Sequence, residues 1–114
     1  MCAPAAAAAA TPMLRHLVLL RFKPEATPAQ VHEIEQGFIE LGRLIDSVRA
    51  VEWGIDGSPE GLAKGYTHAF VLSFDDATGR DAYLPHPTHQ AFVARLKPVL
   101  ADLLVVDYSV APAA

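Results

Sequence analysis

The chain predicts an α+β fold of the ferredoxin-like kind: a four-stranded antiparallel sheet carrying its helices on one face. Three observations lead there. Apolar residues recur at strand spacing in four stretches and at helix spacing between them. The elements follow one another as strand, helix, strand, strand, helix, strand, the split β-α-β order. The length of 114 residues suits one domain and leaves no room for a second.

Each element has a local cause. Residues 1–12 are Met-Cys-Ala-Pro, six alanines and Thr-Pro, with neither the positive start nor the strongly apolar stretch of a secretory signal, and read as a flexible tail. The domain itself runs over 13–110, and 111–114 read as a flexible C-terminus. Leu14 to Phe22 forms the first strand, with apolar side chains in both alternating sets. Thr27-Pro28-Ala29-Gln30 starts a helix: Thr is the N-cap, Pro holds the first helical position, and Gln at the third completes a capping box. Val31, Ile34, Phe38, Leu41, Ile45 and Val48 step by three and four, lining one face of that helix over about five turns. A second strand covers Val51 to Ile55 and ends at the turn-prone Asp56-Gly57-Ser58-Pro59. The third, Tyr66 to Phe74, places Tyr66, His68, Phe70, Leu72 and Phe74 on one face. Asp76 to Tyr83 forms a short helix, and Pro87 to Leu96 a longer one disturbed by Pro98. Leu103 to Val110 is the last strand.

A sheet with one wet face should alternate apolar and polar residues, yet Leu17-Val18-Leu19-Leu20 and Leu103-Leu104-Val105-Val106 do not. Something must cover the second face. The cheapest cover for so small a chain is the same face of another copy, which predicts a homodimer with apposed sheets.

Composition excludes several functions. A net charge of −4, with nine Lys and Arg scattered along the chain, offers no field for nucleic acid. No window approaches the ~20 unbroken apolar residues of a membrane helix. Cys2 is the only cysteine, so no internal disulfide or Cys-based metal cluster forms, and a cytoplasmic location fits.

Chemistry concentrates in Tyr83-Leu-Pro-His-Pro-Thr-His89, a phenol and two imidazoles with His86 held between prolines. Proline fixes φ and biases the residue before it toward extended backbone, so His86 should sit in a stiff turn opening the next helix. Histidine titrates near neutrality and is suited to proton transfer.

Taken together, His16-Leu-Val-Leu-Leu-Arg-Phe-Lys23, Val51-Glu-Trp-Gly-Ile-Asp56, Gly65-Tyr-Thr-His68, Phe74, the Tyr83–His89 segment and Val106-Asp-Tyr108 resemble the stress-responsive A/B barrel (Dabb) family over residues 14–109. The resemblance implies a dimeric α/β barrel with a cavity between each sheet and its helices. In a cyclase of that family a linear polyketide thioester closes a ring there by intramolecular aldol condensation, without metal or redox cofactor. Carried onto this chain, it implies His89 as catalytic base, Tyr83 as its supporting hydrogen-bond donor, and His16 and His68 as substrate-binding residues of the pocket wall. Some members hold magnesium on backbone carbonyls that map to Gly42, Ile45 and Val48. Any sequence supplies carbonyls, so the metal stays unknown. Three histidines could ligate zinc, but their spacing matches no zinc motif.

The ordinary readings stand beside these. His89 can simply bond a backbone group at a helix N-terminus. His16 and His68, expected as neighbours on adjacent parallel strands, can be satisfied by Thr, Tyr or water. His86 reads as a turn residue and His32 as solvated. Trp53, Tyr66 and Phe70 could line an aromatic channel or be core, and Asp107-Tyr108 could tie down the last strand. Three functions follow. The first is a pocket for a hydrophobic carbonyl-bearing small molecule, extending to cofactor-independent polyketide cyclase chemistry. The second is a non-enzymatic stress-response homodimer, and the third a cofactor-free monooxygenase.

Overall fold

The computed structural model describes residues 13–111. The expected N-terminal tail and the last three positions, 112–114, lie outside the described residues. The elements are β1 (Leu14–Phe22), α1 (Pro28–Leu44), β2 (Ala50–Ile55), β3 (His68–Phe74), α2 (Ala77–Tyr83), α3 (Pro87–Leu96), a 3-10 turn (Lys97–Val99) and β4 (Leu100–Ser109). They build the ferredoxin-like sheet in the order β2-β3-β1-β4, antiparallel throughout.

Local chemistry sets the start of α1. The Thr27 hydroxyl accepts from the Gln30 N–H at 3.2 Å, while the Gln30 side chain accepts from the Thr27 N–H at 2.9 Å. Such a cap stabilises a helix by about 1 kcal/mol. The helix ends sooner than its apolar period suggests. Ile45 is already extended, and its carbonyl accepts the Val48 N–H at 3.0 Å as the chain turns toward β2. Ile45 and Val48 still belong to the core, so the spacing foretold burial correctly but not helical backbone. That engaged carbonyl is one of the three that the magnesium resemblance requires, and no metal is assigned to them.

The core lies between the sheet and the helices. Phe38 of α1 stacks on Phe70 of β3 with centroids 3.9 Å apart and meets Phe92 of α3 edge-on at 4.7 Å. Gly37 permits this approach, because a Cβ there would overlap the Phe92 ring. Aromatic pairs of this kind add ~0.5–1.5 kcal/mol beyond the area they bury.

Strand direction corrects one expectation. His16 lies opposite Leu72 and His68 opposite Leu20, because β1 and β3 run antiparallel. The cause is topological: the crossover through α1 makes β1 and β2 parallel, and β3, leaving β2 by a loop, must run back between them. The two imidazoles therefore share a face but sit at opposite ends of it, roughly 13 Å apart along β1.

On the opposite face, Leu17 and Leu19 of β1 pair with Val106 and Leu104 of β4 and with Val71 and Ala69 of β3. Among the described residues no helix covers them. Leu104 and Val106 are each 46% exposed, and Tyr108 of the same strand is 47% exposed.

Candidate functional site

Two short segments bring the phenol and an imidazole together. Asp76 caps α2 by accepting from the Gly79 N–H at 3.2 Å, and the helix ends by delivering Tyr83 into the core, 1% exposed. The prolines then act as expected. His86 is extended (φ −60°, ψ 134°) and caps α3, its Nδ1 accepting from the Thr88 N–H at 3.1 Å. It is a structural turn residue. One turn on, His89 packs against the Tyr83 ring with centroids 4.3 Å apart.

Hydrogen bonding fixes the state of His89. Its Nδ1 lies 2.9 Å from the Leu84 carbonyl, which can only accept, so Nδ1 carries the proton and Nε2 keeps a free lone pair. Burial, the largest influence, lowers the His89 pKa below 6.5; the Leu84 carbonyl opposes that shift, and His16 and His86 add to it. Neutral imidazole is thus favoured near pH 7. Burial alone pushes the Tyr83 phenol well above its ordinary 10.0, which keeps it a protonated donor.

His16 completes the group from β1. Its ring lies 5.8 Å from that of Tyr83, and its Nδ1 donates to Asp107 Oδ1 at 2.6 Å. Asp107 stands directly opposite His16 in the β1–β4 register and accepts a second bond, from Arg80 of α2, at 2.9 Å. This Arg80–Asp107–His16 chain orients the imidazole and leaves its Nε2 for the interior.

These groups open into a cavity of about 340 Å³ between the sheet and α3, lined by His16, Tyr83, His89 and Lys97 among apolar side chains such as Val18, Phe38, Phe92 and Leu103. The volume lies in the range of small-molecule sites. A wider groove of about 500 Å³ between the outer faces of α1 and α3 is lined by Glu40, Leu44 and Arg95 and, among the described residues, by no imidazole or phenol.

His68 belongs elsewhere. Its Nε2 bonds Glu35 Oε2 at 2.8 Å and its Nδ1 bonds Thr67 Oγ1 at 2.8 Å, beneath a stacked Trp53 ring. It does not line the cavity. The expected aromatic channel is also displaced: Phe70 is core, Trp53 and Tyr66 sit at the His68 end, and Phe38 and Phe92 supply the aromatic wall. His32 is exposed, 3.5 Å from Glu35. Among the described residues no three His, Cys, Asp or Glu side chains gather as metal ligands, and no helix is long and apolar enough to cross a membrane. Sequence reasoning gave Asp107 only an edge-tying role and passed over Arg80, since their meeting with His16 depends on strand register. The alternation that puts His16 and Asp107 on one face was the available signal.

A ferredoxin-like half-barrel with a histidine–tyrosine cavity under its helices is the class that fold and site define. The chain belongs to the Stress Responsive A/B Barrel Domain (Dabb) family, whose model matches residues 14–110. It is 35% identical to the stress-response A/B barrel domain-containing protein HS1 of Arabidopsis thaliana, over 83% of this chain and 87% of that protein. It is 31% identical to olivetolic acid cyclase of Cannabis sativa, over 84% of this chain and 95% of that enzyme. Among solved structures it resembles a dimeric ferredoxin-like protein of unknown function from Thermobifida fusca, with a TM-score of 0.73 and 33% identity over 88% of this chain and 92% of that one.

Proposed function

We propose that this cavity binds a hydrophobic, carbonyl-bearing small molecule and closes a ring in it by aldol condensation, with His89 as base and Tyr83 as donor. The carrying observation is the pairing of a free His89 Nε2 with a protonated Tyr83 at 4.3 Å between ring centroids, both walling one apolar cavity. Likeness to a named cyclase supports the reaction class.

The steps follow from the residues. His89 Nε2 takes a proton from a carbon flanked by two carbonyls. The resulting enolate attacks a second carbonyl of the same chain, forming the C–C bond, while Tyr83 O–H donates to an oxygen that gains negative charge. The new alkoxide recovers the proton from His89, and loss of water gives the unsaturated ring. His16, held by Asp107, offers the lone pair of its Nε2 to an enol O–H of the substrate. A positioned base contributes ~10²–10⁴ in rate, and a buried donor to the developing oxyanion ~10²–10³.

The uncovered apolar face completes the reading. We propose that it meets its own copy in a homodimer; the Thermobifida fusca neighbour is described as dimeric. Leu17, Leu19, Leu104 and Val106 would leave water there. Light scattering at micromolar concentration should return twice the protomer mass; the protomer mass alone would sink the dimer. A purely structural stress-response role is the second reading, supported by the name of the Arabidopsis relative, but it gives no reason for a cavity edged by two free imidazole nitrogens. The deciding experiment is incubation with a linear poly-β-keto thioester and mass analysis of the products. Ring closure above the buffer rate supports the proposal, and none, with no ligand bound, removes it.

A further inference from the structure

Lys97 is the cavity's unused charge. It is the only Lys or Arg among the described residues lining the cavity. Among the described residues no carboxylate lies within ion-pair distance of it, whereas Arg21, Arg43 and Arg49 each have one and Arg80 has two. Its place is set by α3. His89 lies in the first turn of that helix and Lys97 caps its C-terminus, so from position 89 to position 97 the helical rise separates their backbones by roughly 12 Å. Between them the wall is Phe92, Val93, Leu96, Leu100 and Leu103, all apolar. Among the described residues no carboxylate lines the cavity to offset the ammonium.

A polar carbonyl-handling end, an apolar barrel and a lone cation at the far end match one class of molecule. We propose that the cavity takes an amphiphile whose carbonyl lies among His16, Tyr83 and His89 and whose other end carries an anion, a carboxylate or a phosphate, held by Lys97. This rests on the carbonyl-binding reading above and narrows it to a substrate class. An extended chain covers ~12 Å in about ten bonds, so a spacer of medium length fits. Lys97 lines the cavity and is exposed, which suits a side chain able to lay its stem along apolar surface and keep its ammonium in water.

The test uses 9-oxodecanoate, a methyl ketone at one end and a carboxylate at the other, and its uncharged methyl ester. Both are titrated calorimetrically into the wild-type protein, Lys97→Met and Lys97→Arg at pH 7.5, with imidazole resonances followed by NMR. Wild type should bind the acid about tenfold more tightly than the ester, Lys97→Arg should keep that preference, and Lys97→Met should lose it while retaining the ester. Equal wild-type affinities with shifted His16 and His89 resonances would overturn the anion assignment and leave the carbonyl site standing. A preference that survives Lys97→Met would overturn it as well. If neither ligand binds or moves those resonances, the carbonyl site falls and this assignment with it. Probing with decyl phosphate separates the two anion sources, since only a phosphate-selective site prefers it to decanoate.

Discussion

The two ends of the sheet present the same motif with opposite outcomes. His16 and His68 project from one face, each is 6% exposed, and each bonds a carboxylate, Asp107 at 2.6 Å and Glu35 at 2.8 Å. The difference lies in the second ring nitrogen. Thr67 engages that of His68 at 2.8 Å, whereas among the described residues nothing bonds Nε2 of His16, which faces the cavity. Burial and an acidic partner are therefore common to both imidazoles. What sets His16 apart is an unspent ring nitrogen beside empty volume, and His89, with Nδ1 given to Leu84, shares that feature.

That contrast yields graded predictions. His89→Ala should lower the rate of ring closure ~10²–10⁴-fold at unchanged melting temperature; a turnover equal to wild type would remove the base from its role. Tyr83→Phe deletes one hydroxyl and keeps the packing, so kcat should fall ~10²–10³-fold with little change in KM. Glu35→Ala tests the other end. It leaves His68 Nε2 unsatisfied in a buried place and should cost ~1–3 kcal/mol in chemical denaturation while kcat per folded molecule stays at the wild-type value; a large loss of kcat would erase the contrast between the two ends.

The smallest effect is a displacement in pH. Because burial lowers the His89 pKa below 6.5, and because the base must be neutral, kcat/KM should hold on the acid side until the pH falls through a value below 6.5. Stability moves in the same sense. The unfolded chain binds the His89 proton more tightly than the folded one, so this contribution is fully present above 6.5 and is lost as pH drops through the folded pKa. NMR titration of His89 gives the check, and an inflection above 6.5 contradicts it.

Legibility in the sequence follows the range of the interaction. The capping box at Thr27 and Gln30, the proline-held turn at His86 and the α2 stop at Tyr83 are closed by residues within a few positions of one another, and all three were readable. The seat of Ile45 in the core was readable from its spacing, but its extended backbone was not, since helix ends depend on where the chain must go next. The relation of His16 to His68 needed the direction of β3, and the bond from His16 to Asp107 needed the register of β4. A one-residue slip would reverse the face of every side chain.

By itself the amino-acid order determined the elements, their succession into a ferredoxin-like sheet, the greasy second face and the packet of proton-handling side chains around Pro85 and Pro87. Periodicity, caps and proline geometry act over a turn or a strand and need no distant partner. Only the tertiary structure decided which imidazole keeps a free nitrogen, that Arg80 and Asp107 stand behind His16, and that Lys97 faces the same cavity as His89. Those facts arise when residues far apart in the chain meet, and strand direction and register settle which ones do.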